Sequence, residues 1–474
     1  MNQVPERQTH AVPARRLSRR AFLGRSAALG GALALARLGW PTPGARAGRP
    51  KPVRPPGSLP HPKLPAGTDT IPKIDHIVVV MMENHSYDNY LGMLGRGDGF
   101  ELDRRGHPTA ANPDDQGNLV RAFPMPSTCQ LERAPGQNWN ASHIQYDDGR
   151  NDGFVRASGP VSMGYWTKDD LPFYYGLART FPLCDRWFGS CLGQTYPNRR
   201  FLLTGTAHGL VSTDVSKILA PSPPNGLILD QLNAHGISWR NYYSDLPQVG
   251  LYRAPIDNDG DKLVKIDQFY ADAAAGKLPA VSLVDPLFDK DESEENDANI
   301  QLGESFVSRV VDAVMHGPAW SKSLLIWLYD EHGGYYDHVP PPPAIKPDDI
   351  PPDIQSPPDL PGGYDRYGFR VPAVIISPYA RRNYVSHVVH DHTSVLKLIE
   401  TKWNLPALTF RDANADNLLD SIDFHHQAFR EPPKLPAPGL TAHPSQCTPG
   451  EPGPIPPPGA VVPAPTTTTT TARR

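Results

Sequence analysis

Four short apolar runs stand out in the middle of the chain, and none of them alternates with polar residues. They are rich in branched side chains and occupy residues 77–82, 280–284, 324–329 and 373–376. Such runs are typical of strands that are covered on both faces. Apolar positions recur at helical spacing over residues 172–180, 304–315 and 394–403. The pattern predicts an α/β fold: a doubly wound, mainly parallel sheet flanked by helices, with ligands beyond the carboxyl ends of its strands.

The two ends of the chain differ in composition from the middle. Residues 48–70 and 431–474 are rich in proline, and the second segment ends in a run of threonines and an arginine pair. Proline-rich segments without apolar periodicity form extended linkers or disordered tails. We therefore expect a linker over 48–70, a packed domain over 71–430 and a disordered tail over 431–474.

Residues 1–47 have the order of elements of an export signal. They hold eight arginines, no lysine and one acidic residue. An arginine pair at 19–20 precedes a weakly apolar run at 27–36, and the triplet Ala-Arg-Ala follows at 45–47. This segment resembles a twin-arginine signal peptide. The resemblance implies that the twin-arginine machinery exports the folded protein to the periplasm, cell wall or medium; a disordered basic arm is the alternative.

Charge, hydropathy and cysteine content argue against several classes of function. The net charge of the whole chain is −4, and because the first segment is strongly basic, the remainder is more acidic still. An acidic protein is a poor binder of nucleic-acid backbones. The sequence contains no run of about 18 uncharged apolar residues, which is the length that would predict a membrane-spanning helix. The four cysteines include no C-x-x-C pair, which argues against zinc-thiolate and redox motifs, while a disulfide between Cys184 and Cys191 is left open.

Polar side chains directly follow two of the predicted strands. Glu83 and Asn84 come after the first strand, and Asp330 and Glu331 come after the third. Neighbouring carboxylates repel each other unless a cation or a proton lies between them. Hard oxygen ligands of this kind suit Ca²⁺, Mg²⁺ or Mn²⁺, and nearby histidines leave Zn²⁺ or Fe open. The structural alternative is a helix cap at Asn84 and a turn after Glu331.

A third candidate lies at a predicted helix start. Pro197 is placed like the first residue of a helix, which puts Thr195 at or just before the N-terminus, where free amides favour an anion. An alcohol is a weak nucleophile without a base or a metal, and no G-x-S-x-G elbow indicates a serine hydrolase. In-line attack on phosphorus by a metal-bound Thr195 would form a phosphothreonine intermediate. A threonine helix cap is the structural alternative.

Histidines complete the set of candidates. His143 precedes the sequence Asp152-Gly153-Phe154 and is interpreted as a residue that binds phosphate or protonates the leaving group. An ordinary surface histidine is the alternative. We expect His332, His338 and His392 to orient neighbouring groups. A helix-capping role is the alternative for His392, because it opens a predicted helix.

Five stretches between residues 70 and 405 resemble the bacterial phosphoesterase family that contains exported phospholipases C and acid phosphatases. In chain order they are IDHIVVVMMENHSYDNYLG, LPFYYGLARTFPLCDRWFGSCLGQTYPNRRFLLTGT, LLIWLYDEHGGYYDHVPPP, YGFRVPAVIISPYARRNYVSH and HDHTSVLKLIE. The resemblance implies a catalytic domain over 71–430, a fold similar to alkaline phosphatases and sulfatases, and phosphate ester or phospholipid substrates.

The resemblance also assigns roles to particular positions. It implies that Glu83, Asn84, Asp330 and Glu331 gather around a divalent metal with the Thr195 hydroxyl. His143 falls on the family's phosphate-binding histidine, and threonine as nucleophile favours the phospholipase C branch.

The chain departs from the family at two points. Asn296 and Asp297 stand where many members carry a Glu-His-Pro element, which leaves the leaving-group acid open. A proline and threonine tail replaces the β-rich C-terminal domains of the long phosphocholine-type members, so choline headgroup recognition is weakly supported.

Three hypotheses follow from the sequence. The favoured one is an exported, metal-dependent phosphoesterase that hydrolyses P–O ester bonds through Thr195. A non-catalytic exported surface or wall protein on the same metal-binding scaffold is the alternative. A sulfatase-like or carboxylic-ester hydrolase is a third and weaker hypothesis, because no sulfatase modification motif surrounds Thr195.

Overall fold

The first apolar run, HIVVVMM, forms the strand His76–Met82 (β1) near the centre of a sheet. Six of its seven residues are buried, because neighbouring strands and helices cover both faces, and branched side chains suit such a position. The run at 324–329 forms the adjacent strand Ser323–Tyr329 (β10), which is buried along its whole length. Both strands were predicted from their uninterrupted apolar character.

The computed structural model describes residues 52–129, 135–288, 292–295 and 298–439. The other strands in these residues are Ala111–Pro113 (β2), Leu119–Arg121 (β3), Phe123–Pro124 (β4), Gly164–Tyr165 (β5), Leu183–Cys184 (β6), Trp239–Tyr243 (β7), Leu263–Lys265 (β8), Val281–Asp285 (β9), Ala373–Ile376 (β11) and Val385–Ser386 (β12). The α-helices are Tyr87–Leu91 (α1), Trp139–Tyr146 (α2), Phe154–Ser158 (α3), Pro172–Thr180 (α4), Thr195–Thr204 (α5), Ile228–Ala234 (α6), Arg253–Asn258 (α7), Ile266–Ala275 (α8), Ile300–His316 (α9), Thr393–Trp403 (α10) and Phe410–Ala413 (α11).

Eight strands form the main sheet, in the order β12-β6-β11-β10-β1-β9-β7-β8. β11 pairs antiparallel with β10 and β6, and the other pairings in this sheet are parallel. The prediction of a doubly wound, mainly parallel α/β sheet is confirmed. Several strands that are consecutive in the chain, such as β6 and β7, are separated in the sheet, so helices and loops must cross over it to join them.

The register of β1 and β10 determines where the following residues lie. Met82 is directly opposite Tyr329, so the residues after the two strands leave the sheet side by side at its carboxyl edge. β9 flanks β1 on its other side, with Val80 opposite Val284, and it ends at the same edge. Three strand ends therefore meet where ligands bind in open α/β sheets.

The helices predicted from apolar spacing are present. α4 matches the prediction at both ends, while α9 and α10 begin slightly earlier than predicted. On α9, Phe306, Val307, Val310, Val311 and Val314 are buried in the main core, the three-and-four spacing of one helix face.

Parts of the predicted linker and tail lie against the domain. Within the predicted linker, the Gly57 N–H donates to the Ala407 carbonyl oxygen, and the Thr70 N–H donates to the Lys402 carbonyl oxygen. In the predicted tail, the Gly439 N–H donates to Glu304 Oε2 at 2.9 Å. The compact unit begins at Val53, so the described parts of both segments lie against the domain. The export signal and the rest of the tail lie outside the described residues.

The structure does not contain the disulfide between Cys184 and Cys191 that the sequence left open. Cys184 and Cys191 are free, buried thiols, and Cys129 is disulfide-bonded. Burial raises the pKa of Cys191 to about 12, so this thiol stays protonated at neutral pH. Among the described residues, no helix combines the length and the hydropathy of a membrane-spanning segment.

Candidate active site

The four carboxylate and amide residues predicted from the strand ends come together at the carboxyl edge of the sheet. Glu83 and Asn84 follow β1, Asp330 and Glu331 follow β10, and all four side chains are buried. The backbone N–H of Asn84 donates to Asp330 Oδ1 at 3.2 Å, which ties the two strand ends together. The Glu331 N–H donates to the same oxygen at 2.7 Å.

A buried arginine that sequence reasoning did not single out lies between these carboxylates. Arg199 Nε donates to Asp330 Oδ2 at 3.1 Å, and its Nη2 lies 3.3 Å from Glu83 Oε1. The same Nη2 donates to the carbonyl oxygens of Met81 and Met82 at 3.3 and 3.1 Å. A guanidinium is always charged and presents its donors in a rigid fork, which explains why one side chain spans both strand ends. Its position, one helical turn after Thr195, was the available signal.

Thr195 begins α5, the helix that carries Arg199. The predicted helix start is therefore correct, with Gln194 as the preceding cap residue. Thr195 is 4% exposed. Arg199, four residues further along the same helix, contacts Glu83 at 3.3 Å and Asp330 at 3.1 Å. The helix N-terminus that begins at Thr195 thus faces the same edge as the carboxylates.

Asn198 holds the loop that leads into this helix. Its Oδ1 accepts from the Ser190 and Cys191 N–H groups at 2.7 and 3.1 Å. Its Nδ2 donates to the Gly193 and Gln194 carbonyl oxygens at 2.9 and 3.1 Å. One buried amide therefore uses both of its ends on the backbone of a single loop, and this fixes the approach of the chain to Thr195.

The site contains buried polar atoms without partners. Among the described residues, neither Oδ1 nor Nδ2 of Asn84 has a hydrogen-bond partner, and Oε1 of Glu331 has none either. Asn84 also has a left-handed backbone, with φ of 70°, a conformation that costs free energy and recurs at functional sites. Leaving buried polar atoms unsatisfied costs about 1–3 kcal/mol each. Amide and carboxylate oxygens are donors that a divalent cation takes, so these residues fit a metal.

The electrostatics of the site also favour a cation. Burial raises the pKa of Glu83 well above its usual range, although the charge of Arg199 opposes the shift. Burial, followed by the charge of Asp330, raises the pKa of Glu331 well above its usual range. One guanidinium does not balance three buried carboxyl groups, so a bound cation would stabilise their ionised forms.

Neutral histidines orient two of the carboxylate residues, as the sequence predicted. His392 Nε2 lies 2.6 Å from the Asp330 carbonyl oxygen, and His332 Nδ1 lies 3.1 Å from Glu331 Oε2. The other ring nitrogen of His332 pairs with Gln145 Oε1 at 2.7 Å. Burial lowers the pKa of His332 to about 3 and that of His392 to about 4. Both rings therefore remain uncharged and act through hydrogen bonds.

Gly333 closes the turn after Glu331. Its N–H donates to Glu331 Oε2 at 2.8 Å, and its φ is +64°. A Cβ atom added to Gly333 would lie 1.7 Å from the Asn84 carbonyl oxygen. Only glycine lets the two strand ends approach this closely.

His143 lies on the helix α2. Its Nδ1 lies 2.7 Å from the Trp139 carbonyl oxygen, and its ring packs against the Trp139 indole at an interplanar angle of 37°. It lines a cleft of ≈ 890 Å³ together with Tyr146, Arg156, Gly362 and Arg366. In the described part of the chain, the walls of that cleft include neither Thr195 nor the four strand-end residues.

A buried glutamate occupies the stretch where the sequence departs from the family. Asn296 and Asp297 lie outside the described residues, but Glu294 is fully buried just before them. Its carboxylate accepts hydrogen bonds from the hydroxyls of Tyr90 and Tyr174, at 2.9 and 2.6 Å, and from that of Tyr329. Burial raises the pKa of Glu294 to about 8 in spite of these donors.

Sequence reasoning missed one more acidic residue at this edge. Asp285 is the last residue of β9 and is fully buried. Its oxygens accept from Asn241 Nδ2 at 2.7 Å and from the N–H and Nε2 of Gln248 at 2.8 and 2.7 Å. The predicted strand at 280–284 stopped one residue short of it. Its place directly after an apolar run was the available signal, the same signal that located Asp330.

Comparison with known proteins identifies the family to which this chain belongs. A family model described as the phosphoesterase family matches residues 74–406. The chain belongs to the phosphoesterase family. Phosphoesterases hydrolyse phosphoric ester bonds, so this protein is a hydrolase of that class.

Individual relatives of this phosphoesterase come from bacteria and plants. Phospholipase C B of Mycobacterium tuberculosis (strain CDC 1551 / Oshkosh) is 30% identical over 434 residues, which cover 79% of this chain and 83% of that protein. Non-specific phospholipase C1 of Arabidopsis thaliana is 31% identical over 409 residues, which cover 78% and 75%.

Among solved structures, a protein in the alkaline phosphatase superfamily from Vibrio parahaemolyticus matches this phosphoesterase with a TM-score of 0.33 and 12% identity. The match covers 69% of this chain and 76% of that one.

Proposed function

We propose that this phosphoesterase is an exported, metal-dependent enzyme of the phospholipase C type, which cleaves the glycerol-side phosphodiester of a phospholipid through Thr195. The observation that carries the proposal is the convergence of a helix-start hydroxyl with buried strand-end carboxylates whose oxygens lack partners. The names of the bacterial and plant relatives support the substrate class. The arginine pair and apolar run in residues 1–47 support export.

Glu83, Asn84, Asp330 and Glu331 would hold the metal. A divalent cation bound there would lower the pKa of the Thr195 hydroxyl and offset the negative charge that develops on the phosphate oxygens. The oxygen-rich donor set favours Ca²⁺, Mg²⁺ or Mn²⁺, with Zn²⁺ or Fe open.

In the proposed reaction, different residues of the chain have different roles. Thr195 Oγ1 forms a bond to phosphorus as the bond between phosphorus and the glycerol oxygen breaks, and the diacylglycerol alcohol leaves with a proton. Water then attacks the phosphothreonine, which releases the phosphorylated headgroup and returns the hydroxyl. The N-terminal amides of α5 face the phosphate oxygens and stabilise their charge, and Arg199 positions Glu83 and Asp330.

His143 is proposed to bind phosphate or to protonate the leaving group. Its Nδ1 is occupied by the Trp139 carbonyl oxygen, so Nε2 is the nitrogen that remains for substrate. Burial lowers the pKa of His143, so a leaving-group role would favour acidic pH, where the ring carries its second proton.

The test compares Thr195→Ala and Thr195→Ser with the wild-type protein. Hydrolysis of p-nitrophenyl phosphorylcholine and p-nitrophenyl phosphate would be measured after chelation and after adding back each divalent cation. We expect preference for the diester, a fall of about 10³-fold or more in kcat for Thr195→Ala, and retention of measurable activity in Thr195→Ser.

The outcomes separate the hypotheses. Unchanged activity in Thr195→Ala, with its folding verified by circular dichroism, would reject the nucleophile. Preference for the monoester at acidic pH would indicate an acid phosphatase instead. Turnover of an aryl sulfate but not of the matched aryl phosphate would favour the sulfatase-like hypothesis. No hydrolysis of any of these esters would favour a non-catalytic surface protein.

A further inference from the structure

A second cluster of potential metal ligands lies close to β12, the edge strand at the opposite end of the sheet from β8. It consists of His390, which follows β12, and of Asp416 and Asp420, which follow α11. One ligand atom from each of the three residues lies within 4.8 Å of the other two. His390 is the first residue of the stretch HDHTSVLKLIE, but the proposed catalytic mechanism uses none of these three residues.

His390 is 1% exposed, and its Nδ1 has no hydrogen-bond partner among the described residues. This nitrogen lies 3.5 Å from Asp416 Oδ1. The other ring nitrogen, Nε2, lies 3.1 Å from Ser386 Oγ and 3.9 Å from Asp420 Oδ1. Acidic side chains alone would not make a site, but a buried imidazole nitrogen without a partner calls for a ligand.

The hydrogen bonds determine which nitrogen carries the proton. Ser386 Oγ donates its single proton to Asp420 Oδ2, so it can only accept from His390 Nε2. His390 Nε2 therefore carries the proton of this hydrogen bond, while Nδ1 makes no hydrogen bond among the described residues. The lone pair of Nδ1 therefore faces a carboxylate oxygen of Asp416 with no proton between them.

The separation of the two atoms matches a bridging cation. Zinc binds imidazole nitrogen at about 2.0–2.1 Å and carboxylate oxygen at about 2.0–2.2 Å in tetrahedral geometry, so two such ligands lie about 3.4 Å apart. The observed separation of Nδ1 and Asp416 Oδ1 is 3.5 Å. Without a cation, two lone pairs would repel each other across this gap.

We propose that His390 Nδ1, Asp416 and Asp420 bind a divalent cation of the zinc type. One imidazole and two carboxylates are ligands that Zn²⁺ takes, whereas Ca²⁺ and Mg²⁺ prefer oxygen alone. The two aspartate side chains are 35% and 21% exposed, so solvent can reach the cluster and water can fill the remaining position. The site is structural, because it joins the segment after α11 to the loop after β12.

The test uses the full chain with the catalytic site disabled by Glu331→Gln, so that zinc at the catalytic site is reduced. Protein stripped with chelator is loaded with Zn²⁺ and desalted, and bound zinc is counted by atomic emission. We compare Asp416→Asn with Asp423→Asn. Asp423 is a matched control, because both aspartates accept a backbone N–H two residues ahead at 2.9 Å.

We expect the Glu331→Gln protein to retain about one equivalent of zinc more with Asp423→Asn than with Asp416→Asn. Zinc should raise the thermal midpoint by about 5 °C in the control only. Equal zinc content and equal midpoints in the two variants would overturn the proposal. If Asp416→Asn fails to fold by circular dichroism, Asp420→Asn replaces it in the same comparison, with the same result expected.

Discussion

Replacing Arg199 with methionine tests whether the candidate site is built around unbalanced negative charge. The side chain of Arg199 is 3% exposed and contacts Asp330 at 3.1 Å and Glu83 at 3.3 Å. Methionine keeps much of the volume and removes the charge. In the metal-free protein, two buried carboxylates lose their only arginine neighbour among the described residues.

The magnitude follows from these contacts. Two unit charges about 4 Å apart interact by about 4 kcal/mol at an effective dielectric of about 20, and removing one partner of a buried ion pair costs about 3–5 kcal/mol. We expect Arg199→Met to lower the free energy of unfolding of the chelated protein by about that amount. A divalent cation should restore more stability to the variant than to the wild type, because it supplies part of the missing positive charge.

Arg200→Met is the matched control for this experiment. Arg200 is the next residue of the same helix and is also buried, but its guanidinium donates to the carbonyl oxygens of Ala207 and Lys217 and stacks on Tyr252. Its loss should destabilise the protein by an amount that added cation does not recover. Unfolding would be followed by denaturant titration with chelator and with each metal. Equal recovery of the two variants by metal would refute the reasoning.

Two further predictions concern backbone geometry and pH. Gly333→Ala should destabilise the protein more than Gly95→Ala does, because both glycines have positive φ but only Gly333 has no room for a Cβ atom. Thermal unfolding of the two variants measures the difference, and equal midpoints would contradict the prediction. Burial holds the pKa of Glu294 at about 8, above its unfolded value, so the native state binds the extra proton and stability falls as pH rises from about 4.5 to 8. Glu294→Gln should flatten that fall by up to about 1.4 kcal/mol per pH unit, and an unchanged slope in denaturant titrations would contradict it.

The sheet could be predicted because its central strands are continuous apolar runs. β1 and β10 need no polar alternation, since both of their faces are buried. The same runs also located the carboxylates, because parallel strands end at one edge. What the sequence could not give was the register that sets Met82 opposite Tyr329, and this register brings Glu83 beside Asp330.

Groups that act from within helices and loops were not predictable in the same way. Arg199 and Asn198 lie in a buried helix start, where sequence gives no sign of which carbonyls or carboxylates they will reach. His390 and Asp420 are separated along the chain by two helices, and only tertiary packing brings them together. Proline content similarly predicted an extended linker, yet Asn404 Oδ1 accepts from the His61 N–H at 2.8 Å, a contact that composition cannot reveal.

The antiparallel strand β11 has a consequence for how this phosphoesterase could diversify. Because β11 runs opposite to β10, the connection over residues 330–372 leaves and re-enters the sheet at the same edge. Its first residues are the buried Asp330 and Glu331, and residues further along it, such as Gly362 and Arg366, form a wall of the cleft beside His143. A single connection between two strands thus supplies both the buried carboxylates at the strand end and part of the cleft wall. Related proteins could change the shape of that wall by insertion or deletion while the sheet and the residues at its base stay intact.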